Sequence, residues 1–429
     1  MKKLSLLALA VLGFATNALA CNSYSELEVS VTEADPEVHS LVTHDVWAIW
    51  FHPDAFTKEQ AQFVAERLAM VRCEGVNYLE MIDPLAAREG YYSNVFLHRT
   101  DDDIVDDGFP DDWGSAVGKN DDNHSEMELA DEDAWDLYTI DHEGFHVLQD
   151  SVANRYENVE AYSFWIAEAS ADWFAWLQDP NLPSAFDQAA SIFVSPQLPF
   201  WAEEQSLTFH MESSDLVGTR PYAFHALLGY IQLHTAITKS DITDGYFQGD
   251  QTPQERLVER LGFDGFADTY ADFNAKLTAM MIEGEWGETL DTFVFTPQQR
   301  AVAVSGIEDY LDPDGDSDFG DMVQPIAAYV DAEDLEEDWT WPEGEARPFG
   351  WGYNVVEIDY PMGEPTLEFE GREMRLRLVT LQDEEWYIET VESGDALDLE
   401  PVDSAYLVIT STPKRLSGYE RYNYRLRLQ

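Results

Sequence analysis

The alternation of apolar and polar residues predicts strands and a helix in the first part of the chain. Residues 46–51 form a continuous apolar run of the length of a buried strand, and residues 94–98 predict a second short strand. Between them, residues 57–72 carry apolar side chains at helical spacing, which predicts an amphipathic helix. A strand, helix, strand order is what a mixed sheet with helices packed on it requires.

Helical spacing dominates from about residue 134 to residue 285. Apolar residues recur every three or four positions in four segments, 134–150, 161–177, 221–238 and 266–281. Pro221 stands at the start of the third segment, where its fixed backbone angle and missing N–H suit the first helical position. The pair Asp179-Pro180 ends the second segment. We therefore expect a mainly helical region in the middle of the chain.

The end of the chain is rich in short β-type runs separated by Gly, Pro and Asp. Strands are predicted at 292–294, 301–304, 353–358, 366–369, 374–381, 386–390, 405–410 and 422–428. Arg375 and Arg377 alternate with apolar residues, as do Arg425 and Arg427, the pattern of strands with one wet face. The prediction is an α+β protein, with a mixed domain at 21–285 followed by an antiparallel β-sandwich domain at 286–429.

Residues 1–20 have the three regions of a bacterial secretory signal peptide: a Met-Lys-Lys start, a short apolar run and Ala18-Leu-Ala20 before Cys21. That run is too short to cross a membrane, and no later stretch is long and apolar enough, so no transmembrane segment is predicted. The expected location is secreted or periplasmic. The alternative is an outer-membrane lipoprotein with a lipid anchor at Cys21. Lipoproteins favour leucine at the third position before the acylated cysteine, and this chain has Ala18 there.

The cysteine content indicates a cross-link within the chain, and the net charge indicates which classes of partner are disfavoured. Cys21 and Cys73 are the only cysteines, and in an exported protein they predict a disulfide rather than metal ligands; acylation of Cys21 would leave Cys73 free. The formal net charge is −60, which repels nucleic acid and anionic membranes and argues against both as partners. With 45% hydrophobic residues and 13 Trp the chain can bury a large core. Oligomeric state does not follow from these features.

The segment 134–150 contains His142-Glu143-Gly-Phe-His146. Four residues make about one helical turn, so His142 and His146 project from one face and can hold one zinc ion. Glu143 lies beside them, where a carboxylate can take the proton from a metal-bound water. The motif predicts a zinc site on a helix.

A catalytic zinc takes three protein ligands and leaves a position for water, so a third ligand is needed. The best candidate is Glu168 on the next predicted helix, and Asp172, one turn further, could accept the second imidazole N–H of a zinc-bound histidine. This helix is apolar nearly all round, where carboxylates are costly to bury unless they are paired or coordinated. Glu157 and Glu160 in the preceding linker compete as third ligands.

His142-Glu-x-x-His146 followed by Glu168-x-x-x-Asp172 resembles the gluzincin arrangement of thermolysin-like zinc metallopeptidases. With Arg220-Pro-Tyr222 opening a helix, the chain is also similar to uncharacterised secreted bacterial proteins classed as zinc metallopeptidases, over most of residues 45–285. The resemblance implies a zincin-like fold, zinc as cofactor and a peptide or protein as substrate. The chain departs from the metzincin pattern, since no Met-turn or third histidine follows the motif.

In the mechanism that the resemblance implies, Glu143 is the general base, and the oxyanion needs a hydrogen-bond donor besides zinc. Tyr222 and His225 resemble residues used this way in gluzincins and are predicted to be catalytic. Each could equally be a helix residue packed against the domain. His210 and His234 are weaker candidates for the same role.

Alternating aspartates resemble a calcium-binding loop, with the candidate ligands Asp312, Asp314, Asp316 and Asp318. An EF-hand-like loop would have Gly at its sixth position and Glu at its twelfth, and these positions hold Ser317 and Val323. The match is partial, and an acidic turn between domains is the alternative.

The sequence therefore predicts an exported zinc metallopeptidase. The alternative is a cell-surface binding or adhesion protein in which the zinc site is structural or vestigial and the β domain binds the partner. The presence of Glu143 favours the enzyme, because a structural zinc site needs no general base. A metal hydrolase that acts on a non-peptide bond is a third reading, since specificity depends on pocket shape and loops.

Overall fold

The computed structural model describes residues 21, 23–30, 34–99, 115–120, 122–131, 133–153, 164–179, 192, 196–201, 220–244, 253–281, 328–331, 339–342, 347–359, 363–383, 385–399, 402–416 and 419–429. The chain divides into two compact units, Met1–Val152 and Ala153–Gln429. The predicted signal peptide at 1–20 and the predicted domain boundary near residue 286 lie outside the described residues, so both stay predictions.

The first unit contains a five-stranded mixed sheet with the order β1-β2-β3-β5-β4. Its strands are β1 Ser40–His44, β2 Trp47–Phe51, β3 Ser93–His98, β4 Ala116–Lys119 and β5 Ser125–Ala130. The central strands β2, β3 and β5 run parallel, and β1 and β4 pair antiparallel at the two edges. Every residue of β2 and β3 is buried, which explains why β2 is a continuous apolar run in the sequence. In β3 the apolar residues 95–97 are flanked by the buried polar residues Ser93, Asn94 and His98.

The helices of this unit are α1 Lys58–Tyr78, α2 Leu85–Glu89 and α3 Leu137–Ala153, the last preceded by a short 3₁₀ helix at Asp133–Trp135. A capping box starts α1, in which the Gln60 N–H donates to Thr57 Oγ1 and the Thr57 N–H donates to Gln60 Oε1 at 2.9 Å. The predicted helices at 57–72 and 134–150 are confirmed, and α1 continues to Tyr78.

Two glycines allow α1 and α3 to pack closely. A Cβ atom added to Gly144 would lie 2.8 Å from Leu68 Cδ2, and one added to Gly75 would lie 2.3 Å from Leu148 Cδ1. Gly144 is two residues from both His142 and His146, so it faces the opposite side of α3. The glycine inside the histidine motif therefore serves the packing of α3 on α1.

The start of the described chain is tied to α1 by a disulfide between Cys21 and Cys73, whose Cα atoms lie 5.4 Å apart. The predicted disulfide is confirmed. Tyr24 Oη donates to Asp83 Oδ2 at 2.7 Å, and Asp83 in turn pairs with the fully buried Arg72. Disulfides persist in oxidising compartments, which fits an exported protein. Among the described helices, none is long and apolar enough to cross a membrane.

The second unit begins with helices: α4 Phe164–Gln178, α5 Arg220–Ala223, α6 His225–His234, α7 Lys239–Asp244, α8 Pro253–Leu261 and α9 Phe263–Met281. The predicted helix at 221–238 is divided by Phe224 and ends at His234, and α7 and α8 were missed in the sequence. Trp165 anchors α4 in an aromatic cluster, with its ring centroid 4.7 Å from that of Phe200. Both side chains are fully buried.

Two sheets complete this unit: a five-stranded sheet with the order β10-β9-β11-β7-β6 and a two-stranded sheet β12-β8. The strands are β6 Ala328–Asp331, β7 Tyr353–Asp359, β8 Leu367–Gly371, β9 Met374–Gln382, β10 Glu385–Thr390, β11 Ser404–Ser411 and β12 Tyr424–Leu428. All neighbours are antiparallel except β6 and β7. Six predicted strands are confirmed, whereas 292–294 and 301–304 lie outside the described residues. The chain is α+β, as predicted.

One expectation about the sheet is wrong. Arg377 on β9 is only 3% exposed, because α9 covers this face of the strand. Arg377 Nε donates to Asp272 Oδ1 at 2.5 Å, and Arg375 Nη2 lies 2.7 Å from Asp264 Oδ1, so aspartates at helical spacing on α9 pair with arginines on β9. Alternating arginines indicate a polar face of a strand, but that face is exposed to solvent only where no helix covers it.

Candidate metal centre

His142 and His146 lie one turn apart on α3 and point toward each other. Their Nε2 atoms are 2.9 Å apart, and their ring planes are nearly perpendicular, with centroids 4.6 Å apart. As the four-residue spacing predicts, the two imidazole rings project from the same face of α3, and their Nε2 atoms face the same point. Tyr138, one turn earlier, places its ring centroid 6.0 Å from that of His142.

Glu168 on α4 joins the two histidines. One ligand atom from each of His142, His146 and Glu168 lies within 4.8 Å of the other two, and no other such group of His, Cys, Asp or Glu occurs among the described residues. Two donor atoms that bind one divalent ion at 2.0–2.2 Å can be at most about 4.4 Å apart. Small side-chain rotations would therefore bring the three ligand atoms within coordinating distance of a single ion. Two imidazoles and a carboxylate suit a divalent transition metal. Glu157 and Glu160, the competing third ligands, lie outside the described residues.

Burial supports a metal-binding role for this group. His142 is 6% exposed and Glu168 is 7% exposed, whereas His146 is half-buried. A carboxylate is costly to remove from water unless it is paired, hydrogen-bonded or coordinated. Glu143, beside His142, is also buried, so a second carboxylate lies next to the histidine pair in sequence and on the same helix.

Gln149 orients His146, a role that the sequence reasoning missed. His146 Nδ1 lies 2.6 Å from Gln149 Oε1, and Gln149 is 5% exposed. An amide oxygen only accepts, so Nδ1 carries the hydrogen and the lone pair of the neutral ring is on Nε2, the nitrogen that faces His142. The i, i+3 spacing of the two residues was the available signal.

Asp141, immediately before His142, is tied to α1. Arg67 Nε donates to Asp141 Oδ1 at 2.5 Å, and Arg67 Nη2 pairs with Asp141 Oδ2, so the contact is bidentate. Asp141 is fully buried, and this burial raises the pKa of its carboxyl to about 6, although Arg67 acts in the opposite direction. The pair fixes the start of the histidine motif against α1 and was not predicted.

His225 and Asp172 are both fully buried in the second unit. Burial lowers the pKa of His225, and the nearby negative charge of Asp172 partly offsets this effect. His225 Nδ1 lies 3.0 Å from the Tyr222 carbonyl oxygen, which only accepts, so Nδ1 is the protonated nitrogen. Nε2 of this neutral ring can accept a hydrogen bond but cannot donate one. This tautomer favours the alternative in which His225 is an ordinary helix residue packed in the domain. The predicted catalytic roles of His225 and Tyr222 stay predictions.

The remaining candidate residues are placed as follows. Tyr222 is half-buried on α5, and His234 is exposed at the end of α6, where its ring centroid lies 4.2 Å from that of Tyr230. His210 lies outside the described residues. The same holds for the predicted calcium ligands Asp312, Asp314, Asp316 and Asp318.

Two imidazole nitrogens and a carboxylate can hold a divalent metal ion, and a further carboxylate beside them can exchange a proton with a bound water. No protein-family model matches this chain, and a search of curated proteins found no match to it.

Proposed function

We propose that the protein is an exported zinc metallopeptidase in which His142, His146 and Glu168 hold the ion. The observation that carries the proposal is the grouping of three donors, in which Glu168 on α4 lies close to the two histidines of α3, the helix that also bears Glu143. The resemblance of the motif to gluzincins supports a zincin-like fold for residues 21–285 and peptide hydrolysis as the reaction. In the same proposal, residues 286–429 form a β-sandwich domain.

Bound zinc would polarise a peptide carbonyl and lower the pKa of a bound water. Glu143 would take the proton of the attacking water and pass it to the leaving amine, which is the role of a general base that then acts as an acid. Gln149 would hold His146 in the tautomer that presents Nε2 as a ligand. Arg67 and Asp141 would keep the motif in place on α1.

The proposal is tested by metal analysis together with a peptide-cleavage assay on the purified mature chain. We expect one zinc per chain by inductively coupled plasma mass spectrometry, loss of cleavage with a chelator, and recovery when zinc is added. His142→Ala should lose the metal, whereas His234→Ala, a change at an exposed histidine outside the centre, should retain it. Native protein without zinc, or cleavage that a chelator does not affect, would contradict the proposal. Zinc without any cleavage of peptides would favour a structural site or a different hydrolase.

Replacing Gln149 by leucine should weaken zinc binding by about 10–100-fold, because the hydrogen-bond acceptor that orients His146 is lost. Gln149→Glu keeps an acceptor oxygen and should retain most of the affinity. Competition with a chromophoric chelator measures the zinc dissociation constant of each variant. Gln62→Leu on α1, outside the centre, is the matched control. An unchanged affinity in Gln149→Leu would show that the contact does not orient the ligand.

A further inference from the structure

The segment at 339–342 pairs with β12 through one isolated antiparallel bridge, between Thr340 and Leu426. The Thr340 N–H donates to the Leu426 carbonyl at 2.8 Å, and the Leu426 N–H donates to the Thr340 carbonyl at 2.9 Å. Because the pairing is antiparallel and Thr340 lies opposite Leu426, Trp341 lies opposite Arg425. Residues directly opposite each other point to the same face of a sheet, so Trp341 and Arg425 share one face. Leu426 points to the other face, where it is buried.

The polar face of this small sheet is built from stacked and paired side chains. The ring of Trp339 lies over the guanidinium groups of Arg425 and Arg427, with 4.3 Å and 4.8 Å from the ring centroid to each Cζ. Arg425 pairs with Glu370 and Arg427 pairs with Glu368, both across the strands β12 and β8. These contacts hold the side chains of the face in defined positions before any ligand binds.

An open pocket of about 270 Å³ lies at this face, next to the stacked arginines. Its lining includes Trp341, Arg347, Glu370, Asn423 and Arg425. Trp341 is 55% exposed, so a large apolar ring is presented to water at the edge of a polar pocket. The volume is close to the lower end of the range for ligand pockets, about 300 Å³, and suits one ring of a chain-like ligand.

We propose that this pocket binds a neutral saccharide. The indole of Trp341 offers a flat apolar surface for the C–H face of a sugar ring. Hydroxyl groups of a sugar both donate and accept, and they match the mixed donors and acceptors of Asn423, Glu370 and Arg425. A net charge of −60 repels polyanions and therefore disfavours an acidic polysaccharide. The proposal does not depend on the metal centre.

The test is a calorimetric titration of the full mature chain with cello-, xylo-, manno- and chito-oligosaccharides, in the presence of a chelator so that metal chemistry plays no part. We expect at least one of these to bind, and Trp341→Ala to weaken that binding roughly tenfold or more. Trp135→Ala, which removes another half-exposed tryptophan, should bind as the native chain does. Polygalacturonate and an unstructured peptide serve as the charged and the non-carbohydrate probes.

Binding of a neutral oligosaccharide that is lost in Trp341→Ala and kept in Trp135→Ala supports the proposal. Asn423→Ala provides a second variant, expected to weaken binding too, if Trp341→Ala does not reach the native melting temperature. The proposal is overturned if no neutral oligosaccharide binds, if only polygalacturonate or the peptide binds, or if binding is unchanged in both variants.

Discussion

Replacing Glu143 by glutamine should lower kcat/KM for peptide hydrolysis by about 10²–10⁴-fold while zinc stays bound. The substitution keeps the size of the side chain but removes the carboxylate that accepts the proton. Glu143 is buried on α3 between the two histidines and is not one of the three grouped donors, so metal content should not change. Steady-state kinetics on a cleaved peptide, together with metal analysis of the same preparation, measure both quantities.

Glu59→Gln is the matched control, because this glutamate is exposed in the first turn of α1 and should leave both quantities unchanged. Loss of activity together with loss of zinc in Glu143→Gln would point to a disturbed site rather than to a missing base. Full activity in Glu143→Gln would rule out Glu143 as the general base.

Replacing Arg67 by methionine should lower the free energy of unfolding by about 3–5 kcal/mol, because it leaves the carboxylate of Asp141 buried without its bidentate partner. Urea denaturation followed by tryptophan fluorescence measures the change. Since Asp141 precedes His142, the variant should also bind zinc less tightly. The double variant Arg67→Met/Asp141→Asn removes the buried charge and should recover part of the lost stability.

Arg415→Met is the control for this prediction. Arg415 pairs with Glu420, and the two side chains are 65% and 71% exposed, so the loss of this pair should cost about 1 kcal/mol or less. If Arg67→Met costs no more than Arg415→Met, the buried pair does not stabilise the start of the motif.

The elements of this protein could largely be predicted from local sequence. Strand β2 is a continuous apolar run because it lies inside the sheet and is buried on both sides. The helix with His142 and His146 follows from apolar periodicity, and the shared face of the two histidines follows from four-residue spacing. These features depend on residues within one or two turns of each other, which is why a single sequence determines them.

Contacts between distant residues could not be predicted in this way. Arg67 and Asp141 are 74 positions apart, and nothing in the neighbourhood of either residue indicates its partner. Arg377 belongs to an alternating pattern that indicates a solvent-facing side of the strand, but α9 covers that side and buries Arg377. Trp341 and Arg425 share a pocket only because the segment at 339–342 pairs with β12.

By itself the sequence determined most of the helices and strands, the disulfide partners and the histidine pair, because periodicity, the presence of two cysteines and helical spacing are local or countable properties. It offered three glutamates as the third donor, and only the tertiary structure decided that Glu168 lies with His142 and His146. The tertiary structure also decided the role of Gly144, because only the packing of α3 on α1 brings Leu68 to the place where a Cβ atom at position 144 would collide with it. Which side chains meet depends on how helices and strands pack, and that packing is set by the whole core rather than by any one segment.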